Sequence, residues 1–281
     1  MREDVGFGNG NAAWFYPGGS ACVVMAHGFG GTRTARLDAF AERFQAAGFS
    51  ALVFDYRGFG DSAGEPRQVV DITAQLAEWR QAIAYARTLE GVERIVLWGS
   101  SFSGGHVMVL AAEDPSIAAA ISQGAFADGL ATLAGFGVRN SALLTWHGLR
   151  DQARALAGRF PHYIPIVGPP GSVATMTTPD AEAGYLKLVE GDFENRSAAR
   201  VGLRVASYRP GTKAAQIRCP WLVVVAERDT ITPPAALLKA AARAPKAEVR
   251  RHDCEHFDIY VDPVFEANVT DQVEFLERVL K

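Results

Sequence analysis

Short, almost uninterrupted apolar runs recur along this chain, separated by stretches in which hydrophobic residues return every three or four positions. The runs are Cys22 to Ala26, Ala51 to Phe54, Ile95 to Trp98, Ile117 to Ile121 and Leu222 to Ala226, with Glu248 to Arg251 a weaker edge candidate. Strands that are apolar on both faces belong in a parallel sheet covered by helices on each side. The intervening periodicity supplies the helices. Leu37, Phe40 and Phe44 share one face, as do Ile72, Leu76, Trp79 and Ile83, and Phe265, Val269, Val273, Leu276 and Leu280 close the chain in the same way. Val5 to Tyr16, broken by Gly8-Asn9-Gly10, reads as a β-hairpin. The fold class is α/β, a mostly parallel central sheet with helices on both faces.

One stretch departs from this rhythm. Residues 128–216 hold helical segments (Leu143 to Ala157, Asp180 to Val189), a Pro/Gly stretch from Pro165 to Gly171 and scattered aromatics, but no buried-style strand. A structureless loop of that length is uncommon, so the stretch is predicted to be an inserted helical cap. The core is then residues 1–127 and 217–281, and the cap 128–216. The alternative is a set of ordinary crossover helices with long loops.

Composition narrows the functional classes. Of 281 residues, 48% are hydrophobic and 21% charged, and 28 Lys and Arg stand against 31 Asp and Glu for a net charge of −3, with neither sign gathered into a block. A nucleic-acid partner is not expected from such a balance. Cys22, Cys219 and Cys254 are too few and too scattered for a disulfide framework or a zinc pattern, which fits a reducing, cytoplasmic setting. The N-terminal residues lack a signal-peptide core, and no apolar run approaches the ~18 residues of a membrane span, so no membrane partner is expected either. Nothing in the pattern selects a monomer over a homodimer.

The sharpest local signal is Ile95-Val96-Leu97-Trp98-Gly99-Ser100-Ser101-Phe102-Ser103-Gly104-Gly105, an apolar strand running into small residues and then a helix. In such a strand-to-helix elbow the nucleophile is strained, and the positions two before and two after it must be small. Ser101 meets this requirement through Gly99 and Ser103. Ser103 as nucleophile is the alternative, whereas Ser100 would be flanked by Trp98 and Phe102. A serine hydroxyl needs a general base, and that base needs a group to orient it. Asp229, in the loop after the run Leu222 to Ala226, is the candidate acid, with Asp128 as backup and Glu227 read as a structural or surface charge. His256, between the last weak strand and the final helix, is the candidate base. The pair His252 and His256 has zinc-helix spacing but neither helix pattern nor third ligand, so no metal is expected; His106, His147 and His162 read as packing or hydrogen-bonding residues. His27-Gly28-Phe29-Gly30-Gly31-Thr32 follows the first buried run, and with the elbow it nominates the backbone N–H groups of Phe29 and Phe102 as oxyanion donors. The glycine spacing is not that of a phosphate loop.

These motifs, in this order, resemble those of the α/β-hydrolase superfamily, over the whole chain except the cap. Asp55-Tyr56-Arg57-Gly58-Phe59-Gly60-Asp61-Ser62 is similar to that family's D-x-R-G-x-G-x-S loop. His256-Phe257-Asp258-Ile259-Tyr260 and Phe160-Pro161-His162-Tyr163-Ile164-Pro165 look most like bacterial serine hydrolases related to thioesterases and fungal polyketide-processing hydrolases. The resemblance implies an esterase or thioesterase acting on a small-molecule ester or thioester without a cofactor. Acyl transfer and lactone, peptide or carbon–carbon bond hydrolysis stay open, as does a receptor that has lost catalysis. Epoxide hydrolases and haloalkane dehalogenases use an Asp where this chain has Ser101. Trp146, Tyr163 and Tyr185 are the aromatics expected to line a pocket under the cap.

Overall fold

The computed structural model describes residues 2–189 and 193–280. The chain begins with β1 (Glu3–Phe7), β2 (Asn11–Tyr16), β3 (Ala21–Ala26), α1 (Leu37–Ala46), β4 (Ser50–Phe54) and α2 (Ile72–Ala86). It continues through β5 (Arg94–Ser100), α3 (Phe102–Glu113) and β6 (Ala119–Gln123), leaves the sheet, and returns in β9 (Trp221–Ala226), α7 (Pro234–Ala241), β10 (Ala247–His252) and α8 (Val264–Leu280). Between β6 and β9 lie α4 (Gly129–Leu156), β7 (Tyr163–Ile164), α5 (Ala181–Leu186), β8 (Ser197–Ala198) and α6 (Gly202–Val205).

Eight strands form one sheet in the order β1-β2-β4-β3-β5-β6-β9-β10. The pairs β1·β2 and β2·β4 are antiparallel and all others are parallel, so the hairpin predicted from the glycine break is appended to a parallel sheet. Side chains alternate across the sheet and divide the interior in two. Val24, Leu52, Leu97 and Val223 pack with Trp79, Ile83, Met108 and Leu237 on one face. Val23, Val53, Val96 and Val224 pack with Phe40, Phe44, Val269 and Leu276 on the other. This double burial is what the uninterrupted apolar runs require.

The sixth strand begins at Ala119, two residues after the predicted start, because Ile117 is buried in the turn after α3 instead of pairing in the sheet. The segment between β6 and β9 is helical, yet it also contains the antiparallel pair β7·β8, only two residues on each side and too short to show a period. Its main helix starts at Gly129, well before the predicted Leu143, and continues past Gly137, whose φ 75°, ψ 160° breaks it into two stretches.

Two buried loops are tied together near the sheet's carboxyl ends. Asp55 accepts the Arg33 backbone N–H at 2.6 Å and pairs with the Arg33 guanidinium, which also reaches Asp61 at 2.6 Å. Burial pushes the Asp55 carboxyl up to about 6 although Arg33 opposes this, and burial pushes the His27 and His106 imidazoles down to about 4 and about 3. A histidine with a lowered folded value stabilises the fold above its unfolded value of about 6.5, and that contribution is lost as pH falls toward the folded value. Asp55 acts oppositely, its contribution being lost as pH rises through about 6. Two histidines outweigh one carboxyl. Stability is therefore expected to fall on acidification from pH 6.5 toward 4, measured as the urea midpoint at each pH. His106→Gln should flatten that slope, and an unchanged slope would contradict the assignment.

Candidate active site

The apolar strand β5 ends against α3 with Ser101 between them at φ 54°, ψ −118°. Such a backbone costs on the order of 1–3 kcal/mol and persists only where its surroundings enforce it. The Ser101 N–H donates to Gln123 O at 2.8 Å, and Ser101 O accepts from Gly104 N–H at 3.0 Å and Phe126 N–H at 2.9 Å. The turn is tight enough to exclude a side chain at position 99, where a Cβ would lie 2.4 Å from Ser103 O. A Cβ on Gly28 would lie 2.8 Å from the Ser101 Cβ, so the loop after β3 approaches the serine through a glycine.

The three residues nominated for a triad meet in space. Ser101 Oγ is 3.1 Å from His256 Nε2, and His256 Nδ1 is 2.5 Å from Asp229 Oδ2. Asp229 follows β9, and its other carboxylate oxygen accepts the N–H groups of Ile231 and Thr232 at 2.8 and 2.7 Å. Thr232 Oγ1 adds a contact of 2.7 Å to Oδ2. These donors fix the plane of the carboxylate and so the tilt of the imidazole. Thr232 went unnoticed in the sequence; its signal was a hydroxyl residue three positions after the acid.

The alternatives sit elsewhere. Asp128 caps α4 through Leu130 N–H at 2.9 Å and pairs with Arg209, while Glu227 pairs with Arg251 at the surface. His252 lies 3.4 Å from Asp271, His106 lies between Tyr208 and Gln75, and His147 and His162 stack on one another. No group of three His, Cys, Asp or Glu side chains able to hold a metal occurs among the described residues. Ser103 is buried and occupied: it donates to His27 O at 2.5 Å and accepts a hydrogen bond from the Tyr56 hydroxyl, while Tyr56 accepts from Trp79 Nε1 at 2.7 Å. The protons in this chain run one way, from Trp79 through Tyr56 and Ser103 to the His27 carbonyl, at the root of the loop that carries Phe29.

Two cavities meet at Ser101. The first encloses about 620 Å³ free of protein atoms, part of it open to solvent, and is walled by Phe29, Phe102, Phe126, Leu133, Phe136 and Leu144 among others. The second, about 400 Å³ by the same measure, lies on the His256 side and includes Tyr185, Leu188 and Tyr260. Phe29 and Phe102 thus share a wall with Ser101, and among the described residues neither backbone N–H finds a protein acceptor. Two of the expected cap aromatics are elsewhere. Trp146 is 66% exposed, and Tyr163 points its hydroxyl at Arg67 O with Arg196 over its ring. Tyr185 does reach the second cavity, donating to Phe29 O at 3.1 Å.

Beneath the elbow lies a polar network buried between the sheet and α8. Gln123 Oε1 accepts from Asn268 and Gln272, both at 2.8 Å, while Asn268 also donates to Ile259 O at 2.9 Å. Gln123 Nε2 donates to Ser100 Oγ at 3.3 Å, and Ser100 bonds Tyr260. One glutamine therefore holds both the serine turn, through its backbone oxygen, and the end of the His256 loop, through its side chain.

A parallel sheet with a strained serine at a strand-to-helix turn and His and Asp on later loops defines an α/β hydrolase. The family described as serine aminopeptidase S33 matches residues 19–258, and the chain belongs to it. It is 44% identical over 262 residues to the quorum-quenching protein AidA of Acinetobacter baumannii, covering 92% of this chain and 86% of AidA. The crystal structure of the α/β hydrolase GrgF from Penicillium superposes with a TM-score of 0.83 at 25% identity, covering 99% of this chain and 98% of GrgF. A thiohydrolase of Aspergillus aculeatus is 39% identical over 102 residues, 36% of this chain and 32% of its own.

Ser103 stands where the G-x-S-x-G elbow pattern has its second glycine, so its hydroxyl tests whether the His27 carbonyl needs an anchor. Ser103→Ala is expected to keep the fold by circular dichroism while lowering hydrolytic turnover about tenfold on every substrate, short of the about 10²–10³-fold cost of losing an oxyanion donor outright. Unchanged turnover would make the hydroxyl a packing feature only.

Proposed function

We propose that this hydrolase cleaves a carboxylic ester or thioester through an acyl-Ser101 intermediate. The observation that carries the reading is the continuous contact Ser101–His256–Asp229 at the mouth of an apolar cavity. His256 Nε2 takes the Ser101 proton as Oγ bonds the carbonyl carbon, and Phe29 and Phe102 N–H groups receive the developing oxyanion. Collapse breaks the bond to the leaving oxygen or sulfur, to which His256 returns the proton. Water then repeats the sequence, giving its proton to His256 and its oxygen to the acyl carbon, and Ser101 leaves with the proton restored. Every proton is carried by His256, so the scheme calls for no cofactor.

The apolar walls favour an acyl group over a charged one. Among the described residues neither cavity has an Asp or Glu in its lining to hold the ammonium of a peptide N-terminus, which favours an apolar acyl substrate over a peptide. The name thiohydrolase, carried by one relative, supports the thioester arm. A second reading is acyl transfer, in which an alcohol or amine replaces water at the second step; it is favoured by a Penicillium relative named polyketide transferase, 32% identical over 164 residues. Residues 128–216 act here as a lid that selects the acyl group, because the reacting atoms alone are common to all substrates.

Ser101→Ala should abolish hydrolysis and fluorophosphonate labelling with the fold retained; labelling of Ser103 in that variant would overturn the assignment. Asp229→Asn should cost about 10⁴-fold in turnover, and Glu227→Gln little. Against p-nitrophenyl esters of graded length, beside acyl-thioesters and lactones, Phe136→Ala should shift chain-length preference by about 10–200-fold per methylene accommodated. An unchanged profile would make the insertion a structural element.

A further inference from the structure

Among the described residues, six of the seven exposed large hydrophobic side chains fall between positions 130 and 160. Val138, Trp146, Leu149 and Leu156 lie on the outward side of α4 and Phe160 just beyond it, each more than half exposed. The opposite side of the same helix, through Leu133, Phe136 and Leu144, walls the cavity at Ser101. A helix apolar on both sides is covered on both, and among the described residues only the inner side is.

Charge selects what covers the other. The only carboxylate from 129 to 160 is Asp151, which is buried and paired with Arg200, whereas Arg139, Arg150 and Arg159 are exposed on or beside the apolar face. A second copy would bring the same arginines, since in a two-fold pair the face meets itself. Exposed Trp, Phe and Leu with a rim of arginines match instead the boundary between acyl chains and anionic headgroups, where the rings bury and the long cationic side chains reach outward. We propose that the outer face of α4 and the turn after it docks on an anionic lipid surface, placing the roof of the cavity against the bilayer. No helix among the described residues is long and apolar enough to cross a membrane, and lying on one requires none. The expectation of no membrane partner rested on the lack of a signal-peptide core and of a spanning run, neither of which a helix lying on a surface needs.

The test uses the full chain and phosphatidylcholine vesicles with or without phosphatidylglycerol. The other four tryptophans are buried, so a blue shift of emission reports Trp146. Co-sedimentation and a blue shift are expected with phosphatidylglycerol and not without it, weakening with added salt. Each of Arg139→Gln and Arg150→Gln should weaken binding about fivefold, and Trp146→Ser with Leu149→Ser should abolish it while hydrolysis of a short soluble ester is unchanged. Failure of the folded chain to bind phosphatidylglycerol vesicles, binding indifferent to these substitutions, or a lipid-free dimer that buries Trp146 would each overturn the proposal.

Discussion

A serine held in left-handed backbone between a buried strand and a helix has to be clamped from several directions, because that conformation costs on the order of 1–3 kcal/mol and relaxes where its surroundings do not enforce it. The clamp here is a set of backbone bonds from β6 and the residues after it, above all the Ser101 N–H to Gln123 O bond of 2.8 Å. Small residues give the turn room, and Gly99 in particular leaves no space for a methyl group. The strain itself turns the hydroxyl out of the sheet toward the loops that carry His256 and Asp229.

That same Gln123 extends the clamp to the rest of the molecule. Its carboxamide, with Asn268 and Gln272, replaces apolar packing between the sheet and α8 by a satisfied polar network. Leaving one of these groups unpaired in the interior would cost about 1–3 kcal/mol, so the network specifies one relative position of strand and helix. The His256 loop is caught in it through Ile259 O and Tyr260. On the other side of the serine, Trp79, Tyr56 and Ser103 secure the His27 carbonyl, and Arg33 with Asp55 anchors the far end of the same loop. The candidate nucleophile, base and oxyanion donors are thus each fixed to the sheet independently, which is how groups from distant positions come to share one geometry.

Much of this was legible in the sequence because its causes are local. Buried strands announce themselves as apolar runs, and the elbow is a short string of small residues whose steric need is specific. The meeting of Ser101, Asp229 and His256 followed from their places on successive loops of one sheet edge. The cavity wall was not legible. Helix α4 is apolar on both sides, so its pattern does not say which aromatics face inward, and Trp146 and Tyr163 were expected in a lining that Phe126, Phe136 and Leu144 provide. The sequence pattern marked a helix only from Leu143, whereas the helical stretch begins at Gly129 and is broken at Gly137. The network at Gln123 left a trace that went unread: Asn268 and Gln272 sit four residues apart on the otherwise apolar stripe of α8, where a polar residue has to be explained by a partner.

The proposed reaction requires that Ser101, and no other group, take the acyl chain covalently. Rapid-quench mass spectrometry with a p-nitrophenyl ester tests it most directly. A burst of p-nitrophenol equal to the enzyme present is expected, accompanied before steady state by one acyl group on the peptide containing Ser101. Turnover without any acyl adduct, or with the adduct on another residue, would contradict it.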